Sequence, residues 1–320
     1  MTDKRNILLV DAYGVFVRQY QANPTISSNG THMGGVVGFL KSLRWAIDKT
    51  FPKKVIVIWE GGGSTRRRSI YPGYKSGRKP LHMNRFFEEE IPDTYENRNK
   101  QITTLISILT CLPVCQIYTP DCEADDVIAY LCNYRFKNES KVIFSSDSDF
   151  YQLLDDNTEI CTLTRNKWIK SDSVLQEFSV YPRNFCLLKA MKGDSADNIP
   201  GVKGAGFKTI IKRFPFIKED RDVLIDEILK HSQDQLKSKI KLYQSVIDSE
   251  QDLRRNWRIM YLDSSFLTLK QIKKINDSID SFSPKLKRLD VTRILIKEGL
   301  NTIDLSWLFF PMNYLISGEV

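Results

Sequence analysis

Four short apolar segments of this chain end at or just before an acidic residue, and this pattern constrains the fold more than any other. The segments are ILLV before Asp11, VIVIW before Glu60, VCQIY shortly before Glu123, and VIF before Asp147. Apolar runs of this length are typical of buried parallel strands. Because the active crevice of an open α/β sheet lies beyond the carboxyl ends of its strands, we expect the four acids to converge there.

Five further acidic residues accompany these four. They lie in the runs EADD, DSD and KGDSADN and are Asp125, Asp126, Asp149, Asp194 and Asp197. Carboxylates a few ångströms apart cannot all stay ionised without compensating positive charge, so the nine acids together indicate bound divalent metal. Two less specific interpretations stay open. Acids in the first turn of a helix are favoured by its dipole whatever the function, and the DSD run also suits a plain polar turn.

The net charge of the chain, +8 at pH 7, contrasts with this concentration of acids. Because nine negative charges are assigned to one site, the rest of the surface must be strongly basic. A basic surface around an acidic centre favours a polyanionic partner, and nucleic acid is the polyanion that fits best.

The composition is that of a globular protein without membrane association. With 320 residues, 42% of them hydrophobic, the chain can form one large or two ordinary domains. Its start, MTDKRN, is polar, and no run approaches the roughly 18 apolar residues of a membrane span. The six cysteines include no CxxC pair and are not near the histidines at zinc-site spacing, so we expect reduced, mostly buried thiols in a cytoplasmic protein.

The order of apolar and amphipathic segments predicts the fold class. Residues 5–60 alternate strand, helix and strand, which favours a mostly parallel central sheet flanked by helices. A polar segment of roughly 40 residues follows, and such segments are usually functional loops, lids or mobile helix pairs. The α/β pattern resumes near residue 100, and beyond residue 181 the pattern is helical. We therefore predict a metal-binding α/β domain at residues 1–180 and a helical domain at residues 181–320.

A glycine-rich connection separates two predicted helices at residues 186–213. A helix breaks at Gly193, and the run NIPGVKGAGFK leads into the next helix. Glycines let backbone N–H groups approach a phosphate at a helix N-terminus, and nearby lysines add positive charge. An ordinary helical hairpin is the alternative. Phosphate binding would involve Gly201, Lys203, Gly204, Gly206 and Lys208.

A basic segment, STRRRSIYPGYKSGR, begins shortly after Glu60. Cations beside a metal site can hold and polarise a scissile phosphate, whereas the less specific interpretation is an exposed basic loop. Aromatic side chains in the same segment, Tyr74 among them, suit stacking on bases.

Several ordered motifs within residues 7–215 resemble those of the 5′ nuclease (flap endonuclease) superfamily. This superfamily includes the 5′-exonuclease domain of bacterial DNA polymerases and the phage 5′-3′ exonucleases named RNase H, which the chain resembles most. LLVDAYGVFVR is similar to the family's first motif, with Asp11 as a ligand and Arg18 at its usual offset. EADD, SSDSDF and KGDSADNIPGVKGAGFKT follow in the family's order and spacing.

The resemblance implies a two-metal site. One Mg²⁺ would be held by Asp11, Glu123, Asp125 and Asp126, and the second by Asp147, Asp149, Asp194 and Asp197, with Mn²⁺ as a substitute. The family usually has aspartate where this chain has Glu60. The longer side chain is expected to ligate directly, to ligate through water, or to reduce activity.

The resemblance also implies a nucleic-acid interface. Lys75 and Arg78 match the family's YKxxR motif and are expected to act on the phosphate in catalysis, at the base of a helical arch over residues 70–100. The connection at residues 186–213 resembles a helix-three-turn-helix, which grips duplex phosphates and often a K⁺ ion. The expected DNA-binding residues are Arg18, Arg68, Tyr74, Gly201, Lys203, Gly204, Gly206 and Lys208.

The implied function is a Mg²⁺-dependent, structure-specific 5′ nuclease. It would act as a 5′-3′ exonuclease or flap endonuclease on DNA and RNA–DNA hybrids, with RNase H activity on primers, in replication or repair. We expect a monomer in the cytoplasm of a bacterial cell or phage-infected host, assisted by a single-strand-binding protein or a clamp.

Two other functions stay open. One is a catalytically weak protein that binds flaps or junctions, in which Glu60 marks lost activity. The other is a ribonuclease of the related PIN fold, although PIN domains lack the hairpin predicted at residues 201–206.

Overall fold

A computed structural model describes residues 5–77, 95–163 and 167–317 and shows a six-stranded sheet. The strands are β1 (Ile7–Asp11), β2 (Lys54–Trp59), β3 (Cys115–Tyr118), β4 (Lys141–Phe144), β5 (Thr158–Cys161) and β6 (Trp168–Ile169). Their order is β3-β2-β1-β4-β5-β6; the first five strands in chain order are parallel, and β6 is antiparallel to β5. The predicted mostly parallel α/β fold is therefore confirmed.

The first half of the chain wraps this sheet in helices. These are α1 (Ala12–Ala22), α2 (Gly34–Thr50), α3 (Thr65–Ile70), α4 (Tyr95–Thr110), α5 (Ala124–Tyr130) and α6 (Ser171–Phe178). A π-helical turn, Leu131–Arg135, continues α5, and a 3₁₀ helix, Ser148–Leu153, follows β4. Short polar residues begin several of these elements: Asp11 caps α1 and Ser64 caps α3 by accepting backbone N–H bonds.

The second half is helical, as predicted. Its helices are α7 (Pro182–Lys192), α8 (Phe207–Arg213), α9 (Ile225–Asp234), α10 (Lys241–Asp248), α11 (Glu250–Met260), α12 (Leu269–Asp280), α13 (Arg288–Lys297), α14 (Leu305–Phe309) and α15 (Tyr314–Ser317). Within the described ranges, no helix combines the length and the apolar character that crossing a membrane requires.

Two hydrophobic cores cover the two faces of the sheet, because strand side chains alternate between faces. Leu9 and Ile56 point into one core, which α5, α7 and α9–α12 complete. Leu8 and Val57 point into the other, which α1, α2, α4 and α13–α15 complete. Each core contains residues from both sides of position 180, and the domain boundary there stays a prediction. All six cysteines are buried and free, as expected.

The connection between α7 and α8, residues 193–206, is called the hairpin below. It is built mainly from backbone contacts. Asp194 and Ile199 exchange two backbone hydrogen bonds of 2.8 Å, and the Val202 N–H donates to the Met191 carbonyl at 2.8 Å. The buried side chain of Asn256, on α11, donates to the carbonyl oxygens of Ala190 (3.2 Å) and Pro200 (2.7 Å). Helix α11 therefore fixes the shape of this hairpin.

The hairpin gives a stability test at Gly201. A Cβ atom at Gly201 would lie 1.9 Å from the Lys192 carbonyl oxygen, so the backbone must shift to accept a side chain. We expect Gly201→Ala to lower the free energy of unfolding by about 1–3 kcal/mol, measured by urea denaturation. Gly206→Ser is the matched control, because no atom lies within 4 Å of a Cβ there and serine suits this N-cap position. Equal losses for both variants would contradict the close-approach argument.

Candidate metal centre

The acids predicted to converge do meet at the carboxyl edge of the sheet. Asp11 ends β1, Glu60 follows β2, and Asp147 follows β4. Glu123 and Asp125 stand at the start of α5, which packs against β1 and β2. Loss of hydration in the cleft raises the pKa of Asp125, and the nearby charges of Asp147, Asp11 and Glu123 raise it further. These carboxylates therefore share one site.

Asp11 is held by hydrogen bonds from the first turn of α1 and from the loop after β4. Its Oδ1 accepts from the Gly14 N–H at 3.0 Å, and its Oδ2 accepts from the Ser145 hydroxyl at 2.9 Å. Burial nevertheless raises its pKa above the ordinary range. The site thus holds Asp11 in one orientation but does not fully compensate its charge.

Glu60 supports the first turn of α5. Its Oε2 accepts from the Ala124 N–H at 3.1 Å, at the positive end of the helix. Burial still raises the pKa of Glu60, against the effect of this hydrogen bond. Glu60 therefore positions the turn that carries Glu123 and Asp125, and its predicted contact with metal stays a prediction.

Glu123 is the most heavily contacted acid, and only one of its oxygens is occupied. Its Oε2 accepts from the Tyr74 hydroxyl (2.9 Å) and lies 2.8 Å from the Lys75 ammonium and 3.4 Å from the Arg67 guanidinium. Burial acts to raise the pKa of Glu123, but Arg67 and Lys75 outweigh it and leave the pKa lowered. Its buried Oε1 has no hydrogen-bond partner among the described residues. A buried carboxylate oxygen of this kind is a ligand type that Mg²⁺ accepts.

A second group of acids gathers around a lysine. Asp147 begins the 3₁₀ helix by accepting from the Asp149 N–H at 2.8 Å. The ammonium group of Lys189, on α7, forms an ion pair with Asp149 and another with Asp194 at 3.1 Å. Burial and the charge of Asp147 raise the pKa of Asp149 to about 6, with Lys189 acting in the opposite direction. Lys189 thus joins the acids after β4 to those of the hairpin.

The hairpin is also tied to the segment that precedes residue 78. Asp197 lines the same cleft as Glu123, Asp125 and Asp149, and its carbonyl oxygen accepts from the Lys75 N–H at 2.9 Å. The Asn198 side chain donates to the carbonyl oxygen of Gly73 at 2.9 Å. Lys75, in the left-handed region at φ 57°, therefore contacts the hairpin through its backbone and Glu123 through its side chain.

The arrangement fits divalent cations, although protein cations lie among the acids. In the described part of the chain, no three acidic, histidine or cysteine side chains are arranged so that they could hold a metal ion as they stand. Lys75 and Lys189 provide positive charge instead. The unpaired Glu123 Oε1 and the raised pKa values of Asp11, Glu60 and Asp125 show that this compensation is incomplete.

Two predicted site residues have other roles than expected. Asp126, a predicted metal ligand, has both carboxylate oxygens 2.5 Å from the guanidinium of Arg67 and is fully buried. It also accepts from the Glu123 N–H at 3.4 Å, so the interpretation of these acids as helix-capping groups holds for Asp126. Tyr74, a predicted DNA contact, is only 6% exposed, and its hydroxyl supports Glu123.

Arg67 is the functional residue that the sequence analysis missed. It is 1% exposed, its Nε donates to the Ile259 carbonyl at 2.9 Å, and its guanidinium lies 4.3 Å from the centroid of the Phe266 ring. Burial opposes its charge, but Asp126 keeps its pKa raised. Arg67 therefore joins α3 to α5 and to the end of α11. One sequence signal existed, since Arg67 and the core-packed Ile70 share a helix face at i, i+3.

The remaining predicted DNA-binding residues lie on the surface. Arg18 on α1 and Arg68 on α3 are exposed, as are Lys203 in the hairpin and Lys208 on α8. In the hairpin, Gly204 has a φ of 84°, which favours glycine, and Gly206 is the N-cap of α8. Arg78 and most of the predicted arch lie outside the described residues. No observation here tests DNA contacts at these positions.

Comparisons with known proteins agree with this architecture. The family model for the N-terminal, resolvase-like domain of 5′-3′ exonucleases matches residues 6–179. The 5′-3′ exonuclease of Buchnera aphidicola is 31% identical over 224 residues, which are 68% of this chain and 73% of that enzyme. The thermostable DNA polymerase I of Thermus aquaticus is 29% identical over 301 residues, 93% of this chain but only 33% of the polymerase.

A solved structure shares the fold. The flap endonuclease of bacteriophage T5, in a pseudo-enzyme-product complex with DNA and metal ions, superposes with a TM-score of 0.63 and 20% identity. The match covers 92% of this chain and 99% of the phage protein. The C-terminal helices of this chain therefore belong to the shared fold.

One prediction from this site concerns the buried ion pair of Arg67 with Asp126. Arg67→Met leaves the carboxylate of Asp126 buried without its guanidinium, so we expect the free energy of unfolding to fall by about 3–5 kcal/mol. The exposed neighbour provides the control: Arg68→Met removes the same charge and should change stability by less than about 0.5 kcal/mol. Urea denaturation measures both. Similar losses for the two variants would show that the ion pair is not what stabilises this region.

Another prediction concerns Asp125, one of the acids whose negative charge is incompletely compensated. Because the pKa of Asp125 is raised, its ionised form at neutral pH destabilises the fold, and Asp125→Asn removes that cost. In EDTA we therefore expect the variant to be more stable than wild type. Mg²⁺ should raise the melting temperature of wild type and raise that of the variant much less. Asp277→Asn, at an exposed position on α12, should leave both behaviours unchanged. A less stable Asp125→Asn protein in EDTA would contradict the charge assignment.

Proposed function

The chain belongs to the 5′-3′ exonuclease family, and from this premise we propose that it is a divalent-metal-dependent 5′ nuclease that hydrolyses DNA phosphodiesters. The observation that carries the proposal is the convergence of acids from three strand ends, helix α5 and the hairpin, next to exposed basic residues. Their incompletely compensated charge is what a site for two Mg²⁺ ions, or Mn²⁺ in their place, requires.

The acids divide into two groups by their contacts. Asp11, Glu60, Glu123 and Asp125 surround the start of α5 and would hold one ion. Asp147, Asp149, Asp194 and Asp197 lie between β4 and the hairpin and would hold the second. When bound, two divalent ions can stabilise charge on the attacking and leaving oxygens of a phosphoryl transfer.

Lys75 is the described residue best placed to act on the substrate phosphate. Its ammonium is partly exposed and is held 2.8 Å from Glu123, at the mouth of the cleft. The pKa of Lys75 is raised, because Glu123 outweighs the effect of burial, so the side chain stays protonated. A lysine on a flexible stem can move from a carboxylate to a non-bridging phosphate oxygen and offset negative charge there. We assign Arg78 the same task, on the basis of the YKxxR motif.

The hairpin would bind the duplex part of the substrate. Lys203 and Lys208 are exposed there, and phosphates at such positions release counterions on binding. The backbone N–H groups around Gly204 and Gly206 suit direct contact with a phosphate, whereas a K⁺ ion would need carbonyl oxygens of the same connection as ligands. The proposal includes Arg18 and Arg68 as further phosphate contacts.

The substrate proposal is DNA with a 5′ end or a 5′ flap, together with RNA–DNA hybrids, so that RNA primers are removed during replication or repair. The T5 relative was solved with DNA, and the Buchnera relative is named a 5′-3′ exonuclease. We further propose a monomer in the cytoplasm of a bacterial cell or phage-infected host, which works beside a single-strand-binding protein or a clamp.

A catalytically weak flap-binding protein is the second candidate function. The ion pairs of Lys75 with Glu123 and of Lys189 with Asp149 favour it, because they neutralise part of the acidic charge without metal. A nuclease should cut a labelled 5′-flap substrate with Mg²⁺ and not with EDTA. A flap-binding protein should bind the same substrate in EDTA and leave it intact under both conditions.

The mechanistic prediction concerns Asp149. Asp149→Ala removes a predicted ligand, so cleavage of the flap should fall by more than about 100-fold, beyond the loss expected for an outer supporting group. Duplex affinity should persist, because Lys203 and Lys208 are unchanged. Asp156→Ala, at an exposed position in the same region, is the control and should cut normally. Near-normal turnover by Asp149→Ala would show that the ligand assignment is wrong.

A further inference from the structure

Besides the exposed lysines at the hairpin, a second basic surface lies at the β3 edge of the sheet. It combines positive charge with an exposed aromatic ring. Tyr118, at the end of β3, is 54% exposed. The surface, which we call the β3 surface, consists of Tyr118, Arg66, Arg68, Lys270, Lys273 and Lys274, all of them exposed. It takes residues from α3, β3 and α12.

Hydrogen bonds join these three elements into one continuous surface. The Gln271 side chain, on α12, donates to the Asp121 carbonyl at 3.3 Å. The Asp121 carboxylate accepts from the Thr65 N–H (2.9 Å) and hydroxyl (2.6 Å) at the start of α3. Arg66 donates to the Ser265 carbonyl at 3.2 Å, just before α12. These contacts fix the elements that carry the basic side chains relative to one another.

The charge of this surface is unbalanced. Lys270 and Lys274 share a helix face at i, i+4, and the Lys274 ammonium lies 5.6 Å from the centroid of the Tyr118 ring. In the ranges that the structure describes, the five basic side chains of the β3 surface form no ion pair of their own. The nearby acids are Asp121 and Asp277, which lies one turn further along α12. Hydrogen bonds from Thr65 and, more weakly, the charges of Arg68 and Arg66 lower the pKa of Asp121, so it stays ionised and offsets part of the five positive charges.

The β3 surface and the hairpin lie on opposite sides of the candidate metal centre. In the sheet, β3 is the edge strand, and the strands that carry the acids, β2, β1 and β4, follow in that order. The hairpin is joined to the β4 side through the ion pairs of Lys189 with Asp149 and Asp194. On the β3 side, the loops after β2 and β3 are joined by backbone hydrogen bonds from Gly61 to Cys122 and from Asp121 to Gly61.

We propose that the β3 surface binds the single-stranded 5′ portion of the nucleic-acid substrate, with its phosphates on the basic side chains and an unpaired base stacked on Tyr118. A base can stack on an aromatic ring only when it is not enclosed in a duplex, which is why this combination fits a single strand. The proposal rests on the proposed function and extends it. A duplex held by the hairpin would send its single strand across the metal centre to the β3 surface.

Binding measurements in EDTA test this proposal without cleavage. The probes are one nicked duplex and the same duplex with a long oligo(dT) 5′ flap, with affinity measured by fluorescence anisotropy over a range of salt. For Lys270→Ala/Lys274→Ala, the slope of log affinity against log salt on the flapped probe should decrease in magnitude by about 1.4, or about 0.7 for each lost phosphate contact. Tyr118→Ala should bind the flapped probe about tenfold more weakly without a change in slope. Neither variant should change its affinity for the nicked probe.

The control removes equal charge elsewhere. Lys285→Ala/Lys297→Ala changes two exposed lysines, one just before α13 and one at its last residue. Helix α13 packs on the other face of the sheet, so this variant should bind both probes as wild type does. Wild-type affinity of the β3-surface variants for the flapped probe, or an equal loss on both probes, would overturn the proposal. Cleavage of the nicked probe by wild type with Mg²⁺ tests the proposed nuclease function separately. If the protein binds the flap at the β3 surface but never cuts, the nuclease function is refuted and the binding proposal is not.

Discussion

The gathering of negative charge at one edge of the sheet is the constraint on which this structure depends. In the described ranges, three cations with different side chains and burial compensate this charge. Arg67 is buried between Asp126 and Phe266, and its planar guanidinium donates to both carboxylate oxygens of Asp126. Lys75 and Lys189 stand at the cleft, and lysine is a compact charge on a flexible stem. Arg67 and Lys189 are both buried, whereas Lys75 is partly exposed, which is why the proposed function gives Lys75 the contact with the substrate phosphate.

Much of the fold and part of the site could be predicted from the sequence. Strands β1 to β4 were readable because each lies in a short apolar run, whereas the fifth parallel strand, β5 with the sequence TEIC, was not predicted. The acids Asp11, Glu60 and Asp147 end or follow strands whose carboxyl ends must share an edge. Arg67 could not be assigned in the same way. Its partners are the carbonyl oxygen of Ile259 and the ring of Phe266, and no local spacing encodes contacts across almost 200 residues. The same limit explains why the contacts of Asp126 and Tyr74 were not predicted. Asp126 pairs with Arg67 and Tyr74 donates to Glu123, and each partner is distant in the sequence.

The site also shows how supporting residues and reacting residues are divided between elements. Glu60 accepts from the Ala124 N–H at the start of α5, and the Tyr74 hydroxyl donates to Glu123. The Ser145 hydroxyl donates to Asp11 and accepts from the Asp147 N–H. Asn256 donates to the hairpin from a helix that carries none of the predicted ligands. Such contacts orient groups that must meet a phosphate with small positional error. The helical second half also lines the cleft directly, with Asp197, Ile259 and Met260 among its lining residues.

The core formed with α13–α15 has a consequence for biosynthesis. Leu8 and Val10 of the first strand share that core with Leu308 and Leu315, near the other end of the described chain. A ribosome releases these partners roughly 300 residues apart, at about 5–20 residues per second. The part of this core that α13–α15 cover therefore stays exposed on the nascent chain until those helices have been made, although α1, α2 and α4 already pack on the same face of the sheet.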